Sequence, residues 1–159
     1  DASPDIKEVF SSDLGVVWTQ TGMLPQLNHG GAVAVTDRMW YFGGHDRTTG
    51  MLYRWVLSST DGTFGMVGNL ATGREYASAI AVGDTIMIAG GQDTTPTTMS
   101  SVLTTTNGTM FTMGSPMPVA RAFSALVRFG DFVYSIGGSD GGAPIVVRMH
   151  ADDDGVAAR

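Results

Sequence analysis

The stretch REYASAIAVGDTIMIAGG, residues 74–91, sets a pattern that returns along the chain. Its double glycine recurs at intervals of 47 residues, and so does the aspartate six residues before it. The glycine pairs are Gly43-Gly44, Gly90-Gly91 and Gly137-Gly138, and the aspartates are Asp37, Asp84 and Asp131. A fixed period of this length is the signature of a repeat protein. We therefore predict three copies of one structural unit.

An arginine precedes the double glycine by the same distance in two of the copies. These residues are Arg74 and Arg121, whereas the same interval places Leu27 in the first copy. The first copy is therefore predicted to be the degenerate one.

Each copy contains short apolar runs that are typical of strands. The first two runs are joined by Thr-Asp or Gly-Asp, which predicts a hairpin, and they are apolar nearly throughout, which predicts strands covered on both faces. These pairs are 31–35 with 39–42, 77–82 with 85–89, and 124–129 with 132–136. A third run follows each double glycine, at 52–58, 99–105 and 145–150. With a short fourth strand, each copy is predicted to have four strands.

A second motif recurs in phase with the glycine pairs. Residues 11–18 have the spacing Ser-x-Asp-x-Gly-x-x-Trp, and shorter Asp-Gly or Asn-Gly versions place Gly62, Gly108 and Gly155 at matching intervals. The full motif resembles the Asp box of sialidase-like propellers, which implies a turn between a third and a fourth strand. In that family the glycine has a positive φ and the aromatic residue, here Trp18, packs beneath the turn.

Taken together, these features resemble kelch-repeat β-propellers. The resemblance rests on the two arginines, the Gly-Asp turns, the double glycines and Tyr134, and it covers roughly residues 20–155. It implies an all-β fold of antiparallel four-stranded blades in a single domain spanning residues 1–159. The predicted units are a partial blade at 1–23, repeats at 24–69 and 70–116, and a truncated repeat at 117–159.

Three repeats are too few to close a propeller ring, because propellers have about four to eight blades. The chain is therefore expected to be part of a longer polypeptide or to assemble with a second copy. Its first residue, Asp1, is not Met, which favours the longer precursor. Either way, we expect another polypeptide to complete the propeller.

Composition excludes several classes of function. The net charge is −6, with a single lysine, which argues against nucleic acid as a partner. The chain has no cysteine, so disulfides, a thiol nucleophile and the Tyr–Cys pair of kelch-type copper-radical oxidases are excluded within it. No apolar run approaches the length of a membrane span. We predict a secreted or extracellular protein, with the cytoplasm as the alternative.

The sequence offers no clear metal or cofactor site. His29, His45 and His150 occupy different positions of the repeat, so we predict no shared metal site, and no cofactor is implied. The acidic run at 152–154 lacks calcium-loop spacing and is predicted to be a turn before Gly155. Methionines are scattered over all strand positions, which predicts core filler rather than a binding patch.

The ligand face implied by the resemblance is formed by the loops after the second and fourth strands. The candidates for ligand contact on these loops are His45, Arg47, Gln92, Arg74 and Arg121. Asp46, Asp93 and Asp140 recur in the loops and are predicted to cap turns. The triplet Arg74-Glu75-Tyr76 has the residue types of a sialidase site, but strand alternation predicts that Glu75 and Tyr76 face opposite sides.

The predicted function is that of a non-catalytic binding or assembly module for a protein partner or an extracellular scaffold. The alternative is a glycan-binding propeller, or the propeller part of a carbohydrate-active enzyme. Asn107-Gly108-Thr109 is a sequon at the tip of a predicted turn, so Asn107 is a candidate for N-glycosylation on a eukaryotic secretory route.

Overall fold

A computed structural model describes residues 6–95, 97–140 and 146–150. Within this part the chain contains fifteen strands and no helix, so the predicted all-β class is confirmed. The paired strands are antiparallel throughout. Residues 141–144 of the loop predicted at 139–144, and the predicted turn at Gly155, lie outside the described residues.

Four successive sheets follow the chain. The first contains β1 (Ile6–Ser12) and β2 (Trp18–Asn28). The second contains, in spatial order, β3 (Ala32–Val35), β4 (Met39–Phe42), β7 (Trp55–Ser59) and β8 (Gly65–Asn69). Between β4 and β7 in the sequence, β5 (His45–Asp46) and β6 (Met51–Leu52) form a small separate hairpin. The third contains β9 (Ser78–Val82), β10 (Thr85–Ala89), β11 (Val102–Thr105) and β12 (Thr112–Met113). The fourth contains β13 (Ala122–Phe129), β14 (Phe132–Ser139) and β15 (Val146–His150).

Hydrogen bonds between side chains and the backbone hold the turns between the third and fourth strands of the second and third sheets. In the second sheet the Ser59 hydroxyl accepts the amide of Gly62 at 2.8 Å, and in the third sheet the Thr105 hydroxyl accepts the amide of Gly108 at 2.9 Å. Both glycines have positive φ, as the turn motif predicts. In the first sheet Gly15 also has φ 75°, but Trp18 is 65% exposed and does not pack beneath the turn.

Several strands differ in length from the prediction. The third strands of the second and third sheets begin at Trp55 and Val102, later than predicted. The residues before them form backbone hydrogen bonds with the glycine pairs instead of continuing the strand. Tyr53 N donates to Gly44 O at 2.8 Å, and Met99 N donates to Gly91 O at 2.8 Å. β2 is the longest of the described strands and continues to Asn28.

Neighbouring sheets share their cores. One cluster joins the second and third sheets and includes Phe42, Val56 and Ile88; another joins the third and fourth and includes Met87, Val102 and Val133. Burying side chains of this size stabilises the fold by about 1.5–3 kcal/mol each. β9 lies against β3 on one side and against β13 on the other, so the first strands of successive sheets adjoin.

The prediction of strands covered on both faces holds only for the middle of the described chain. β10 is buried along almost its whole length, because sheets lie on both sides of it. β3 and β13 instead expose alternate residues such as Val33, Val35 and Phe129. The methionine prediction is likewise only partly correct: Met87 and Met117 are buried, whereas Met110 and Met113 on or beside the outer strand β12 are exposed.

The first copy is offset by one residue from the sequence register. Val35 pairs with Met39 across three residues, whereas the equivalent Ala81 pairs with Ile86 across four. The residue equivalent to Arg74 is therefore Asn28 and not Leu27. Asn28 Nδ2 donates to Gly43 O at 3.1 Å, as Arg74 Nη1 donates to Gly90 O at 2.9 Å.

Candidate functional site

The double glycines Gly43-Gly44 and Gly90-Gly91 carry the chain from β4 and β10 to the loops where ligand contacts are predicted, whereas Gly137-Gly138 lies within β14. Beside the second sheet His29 and His45 exchange backbone hydrogen bonds of 3.0 and 2.9 Å, and beside the third sheet Glu75 and Gln92 do the same at 3.1 and 2.8 Å. His29 is thus the equivalent of Glu75, and His45 is the equivalent of Gln92. These bridges hold the four side chains at one side of the sheets.

The residues that follow His29, Glu75 and Ala122 have positive φ angles. Gly30, Tyr76 and Phe123 are equivalent, and their φ angles are 70°, 54° and 61°. Non-glycine residues adopt this region only where the surrounding structure compels it. The aromatic rings of Tyr76 and Phe123 stack with their centroids 4.0 Å apart. This stack joins the chain beside the third sheet to the start of the fourth sheet.

Three side chains with metal-ligating atoms converge where the second and third sheets meet. Glu75 Oε2 lies 3.3 Å from His45 Nδ1 and 3.9 Å from His29 Nε2. The two imidazole rings are 5.4 Å apart between centroids. The side chains are 13–24% exposed, so the group is half-buried yet open to solvent. We call His29, His45 and Glu75 the junction cluster.

Two further side chains surround the junction cluster. The Tyr76 hydroxyl lies 2.6 Å from His29 Nε2, and Arg47 Nε donates to the same nitrogen at 3.1 Å. Nδ1 of His29 lies 3.2 Å from the carbonyl oxygen of His45. A carbonyl only accepts hydrogen bonds, so this contact places the ring proton on Nδ1 and leaves Nε2 as an acceptor.

The predicted ligand-contact residues lie in two different environments, one beside the junction cluster and its equivalent and one buried between sheets. His45 and Arg47 belong to the junction cluster and its surroundings, and Gln92 lies in the equivalent position one sheet further on. Arg74 and Arg121 are buried, at 4% and 1% exposure, and they donate to Gly90 O and Gly137 O at 2.9 and 2.7 Å. Burial lowers the pKa of the Arg74 guanidinium. The nomination of these two arginines for ligand contact is thus corrected, because their side chains are enclosed between sheets.

The repeated loop aspartates cap turns, as predicted, at the two positions where the hydrogen bonds are seen. Asp46 accepts the amides of Thr48 and Thr49 at 2.8 and 3.2 Å, and Asp93 accepts those of Thr95 and Thr97, both at 2.9 Å. For Asp46 burial raises the pKa, but the hydrogen bonds together outweigh it and the net direction is downward. These aspartates shape the loops rather than facing a ligand.

Sequence reasoning missed most of the junction cluster. His29 and His45 occupy different positions of the repeat, but a strand bridge joins these two positions, so repeat spacing alone does not keep the two histidines apart. The prediction that Glu75 and Tyr76 face opposite sides is wrong. The positive φ of Tyr76 interrupts strand alternation, so both side chains approach His29. The side chain of His150 lies outside the described residues.

An apolar groove lies between the first and second sheets. It has a volume of about 450 Å³, and its lining includes Ile6, Val9, Val33 and Tyr41. Among the described strands β1 pairs only with β2, so its other edge is open beside this groove. The exposed Val33 and Val35 of β3 face the same region.

The turn that carries the sequon is exposed. Asn107 Oδ1 accepts the amides of Thr109 and Met110 at 3.0 Å each, so the side chain shapes the turn. Its glycosylation stays a prediction.

Comparison with known proteins gives a fold but no family. No protein-family model matches the sequence, and no curated protein matches it. Among solved structures, the one described as "Structure of YjhT" superposes with a TM-score of 0.79 at 17% sequence identity. The alignment covers 96% of this chain and 52% of that one, so this chain spans about half the length of that structure. No helix among the described residues is long and apolar enough to span a membrane.

Proposed function

We propose that this chain is an arc of a kelch-like β-propeller and serves as a non-catalytic binding or assembly module. The observation that carries the proposal is the recurrence of one contact between successive sheets. Gly44 N donates to Arg74 O, and Gly91 N donates to Arg121 O, both at 2.8 Å. An inter-sheet contact that repeats with the sequence period is what a stacked repeat architecture requires.

Another polypeptide completes the propeller in this proposal. The apolar groove lies beside the open edge of β1, and open edges and apolar faces of this kind are normally covered. β13 also exposes the apolar side chains of Val127 and Phe129. We favour the remainder of one longer precursor over a second copy, since the likeness to YjhT extends over only half of that protein.

The loops at the junction cluster form the ligand face of the proposed module. A protein partner fits the exposed Arg47 and the capped loops around it. A glycan is the second candidate, because the stacked rings of Tyr76 and Phe123 lie beside hydrogen-bonding groups, a combination that suits the apolar faces and hydroxyls of a sugar. We place the protein outside the cell, where Asn107 would be open to glycosylation.

Light scattering on the chain of 159 residues tests the architecture. Heterogeneous or insoluble material supports a missing remainder, and a discrete dimer supports completion by a second copy. A well-folded monomer of 16.7 kDa contradicts both. A glycan array on the complete protein then separates the two ligand classes. Binding that is lost in Tyr76→Ala supports a glycan, and the absence of any glycan signal supports a protein partner.

A further inference from the structure

We propose that the junction cluster of His29, His45 and Glu75 binds one divalent transition-metal ion, with Zn²⁺ as the best-matched ion. The donor atoms are two imidazole nitrogens and one carboxylate oxygen, all within 4.8 Å of one another. Two nitrogens with one carboxylate suit zinc and its neighbours in the first transition series, whereas Ca²⁺ and Mg²⁺ prefer all-oxygen sites.

The separations of the donor atoms are close to those of a zinc site. Metal–ligand bonds of about 2.0–2.1 Å in a tetrahedron place donors about 3.3–3.4 Å apart. His45 Nδ1 and Glu75 Oε2 are already 3.3 Å apart, and His29 Nε2 and Glu75 Oε2 are 3.9 Å apart. Small side-chain rotations bring the three donors onto one ion. The partial exposure of all three leaves a fourth position for water.

The carboxylate carries an independent sign of a missing partner. Glu75 Oε2 is buried, and it accepts no hydrogen bond from the described residues, because the nearby His45 Nδ1 lacks hydrogen-bond alignment. A buried, unsatisfied carboxylate oxygen is costly. A cation coordinated at this oxygen would remove that cost.

The environment of His29 prepares its Nε2 for a metal. Its Nδ1 hydrogen bond to the His45 carbonyl fixes the tautomer in which Nε2 carries the ring lone pair. Two donors now approach that lone pair, the Tyr76 hydroxyl and Arg47 Nε. Arg47 is exposed and can move into solvent when an ion binds. Its positive charge opposes the ion, so Arg47 is a competitor and not part of the site.

The next junction supplies a matched control within the same chain. There the positions of His29, His45 and Glu75 are occupied by Glu75, Gln92 and Ala122, which provide no imidazole. The same backbone thus supports one junction with two imidazoles and a carboxylate, and one with a carboxylate and an amide but no imidazole. Gln92→Ala should therefore leave metal binding unchanged.

Titration calorimetry with Zn²⁺ alone, and visible absorption with Co²⁺ alone, test the proposal on the full chain. We expect one ion per chain and the d–d absorption of four-coordinate Co²⁺. His45→Ala and the isosteric Glu75→Gln should each weaken binding by at least about tenfold, since changes in outer-shell partners alone cost 10–100-fold. Arg47→Ala should tighten binding. Far-UV circular dichroism establishes that each variant is folded.

Three outcomes would overturn the proposal. These are no Zn²⁺ binding by the folded chain, binding that both ligand variants retain at full strength, and binding that Gln92→Ala weakens as much as His45→Ala does. Equal affinity for Ca²⁺ and Zn²⁺ would also contradict it, because the imidazoles would then play no part.

Discussion

Gly90 lies so close to the carbonyl group of Arg121 in the neighbouring sheet that a β-carbon at Gly90 would overlap the carbonyl oxygen. Gly43 has the same relationship with Arg74, whereas a β-carbon at Gly137 would meet no atom within 4 Å. All three glycines have φ near 70°. Glycine is therefore needed at Gly43 and Gly90 for two reasons. One is the left-handed backbone conformation, and the other is the close approach of the next sheet.

This relationship predicts different effects for two alanine variants. Gly137→Ala should cost about 1–2 kcal/mol, the penalty of a left-handed backbone alone. Gly90→Ala should cost roughly 1–3 kcal/mol more, because the added carbon forces the sheets apart. Urea unfolding of both variants measures the difference. Gly50→Ala, with φ 72° and open space around it, is a second control that should behave like Gly137→Ala. Equal losses for all three would contradict the close approach.

Asn28→Ala should destabilise the chain far more than Leu27→Ala. The Asn28 side chain is buried, donates to Gly43 O and accepts the amide of His45 at 3.0 Å. Its loss removes the donor to Gly43 O and one of the two acceptors of the His45 amide, which keeps its bond to His29 O, at about 1–3 kcal/mol. Leu27 is 39% exposed, and its truncation should change the free energy of unfolding much less. Thermal melting of the two variants distinguishes them. The reverse order would restore Leu27 as the counterpart of Arg74.

Phe123→Ala should cost more than Phe129→Ala, although both residues are exposed in β13. Phe123 stacks on Tyr76 across the junction between sheets, and such ring pairs contribute about 0.5–1.5 kcal/mol beyond area burial. Phe129 is 77% exposed, so its removal should stay within about 0.5 kcal/mol. Chemical denaturation measures both changes. A double variant with Tyr76→Ala provides a further check, because the Phe123 effect should disappear once its partner ring is absent.

The stability of the loop after β10 should depend on pH through Asp93. The hydrogen bond from the Thr95 side chain, with the amides of Thr95 and Thr97, holds the Asp93 pKa below its ordinary value of 3.8. A folded-state pKa lower than the unfolded one stabilises the protein above the unfolded value, and this contribution is lost as the pH falls through the folded value. The melting temperature of Asp93→Asn should therefore lie below that of the original chain at neutral pH. The gap should close in strong acid, and a gap that is constant with pH would show that the charge contributes nothing.

The strands and turns could be predicted because their causes are local. Glycine positions, Asp-Gly turns and apolar runs act within a few residues of chain, and the sheets formed where these signals predicted them. The equivalence of Asn28 and Arg74 could not be predicted from spacing alone. One extra residue in the hairpin turn after Ala81 changes the interval upstream from 47 to 46, and the compensation is visible only in the strand pairing.

The junction cluster is a case where local rules mislead. Strand alternation separates Glu75 from Tyr76, yet the left-handed backbone at Tyr76 brings both to His29. That backbone is imposed by the neighbouring sheet, where Gly30 O accepts the amide of Tyr76 at 2.5 Å. Contacts between sheets thus decide this site, and a single sequence contains no direct signal of them.

The amide bonds of Gly44 and Gly91 have a consequence for measurement. Each is donated to an arginine carbonyl of the following sheet, so neither amide proton can exchange with solvent while the two sheets remain in contact. Their exchange rates in deuterated water therefore report the opening of each junction separately, without any label. A slower rate at Gly91 than at Gly44 would identify the junction between the third and fourth sheets as the more persistent one, and equal rates would show that the sheets separate in one cooperative step.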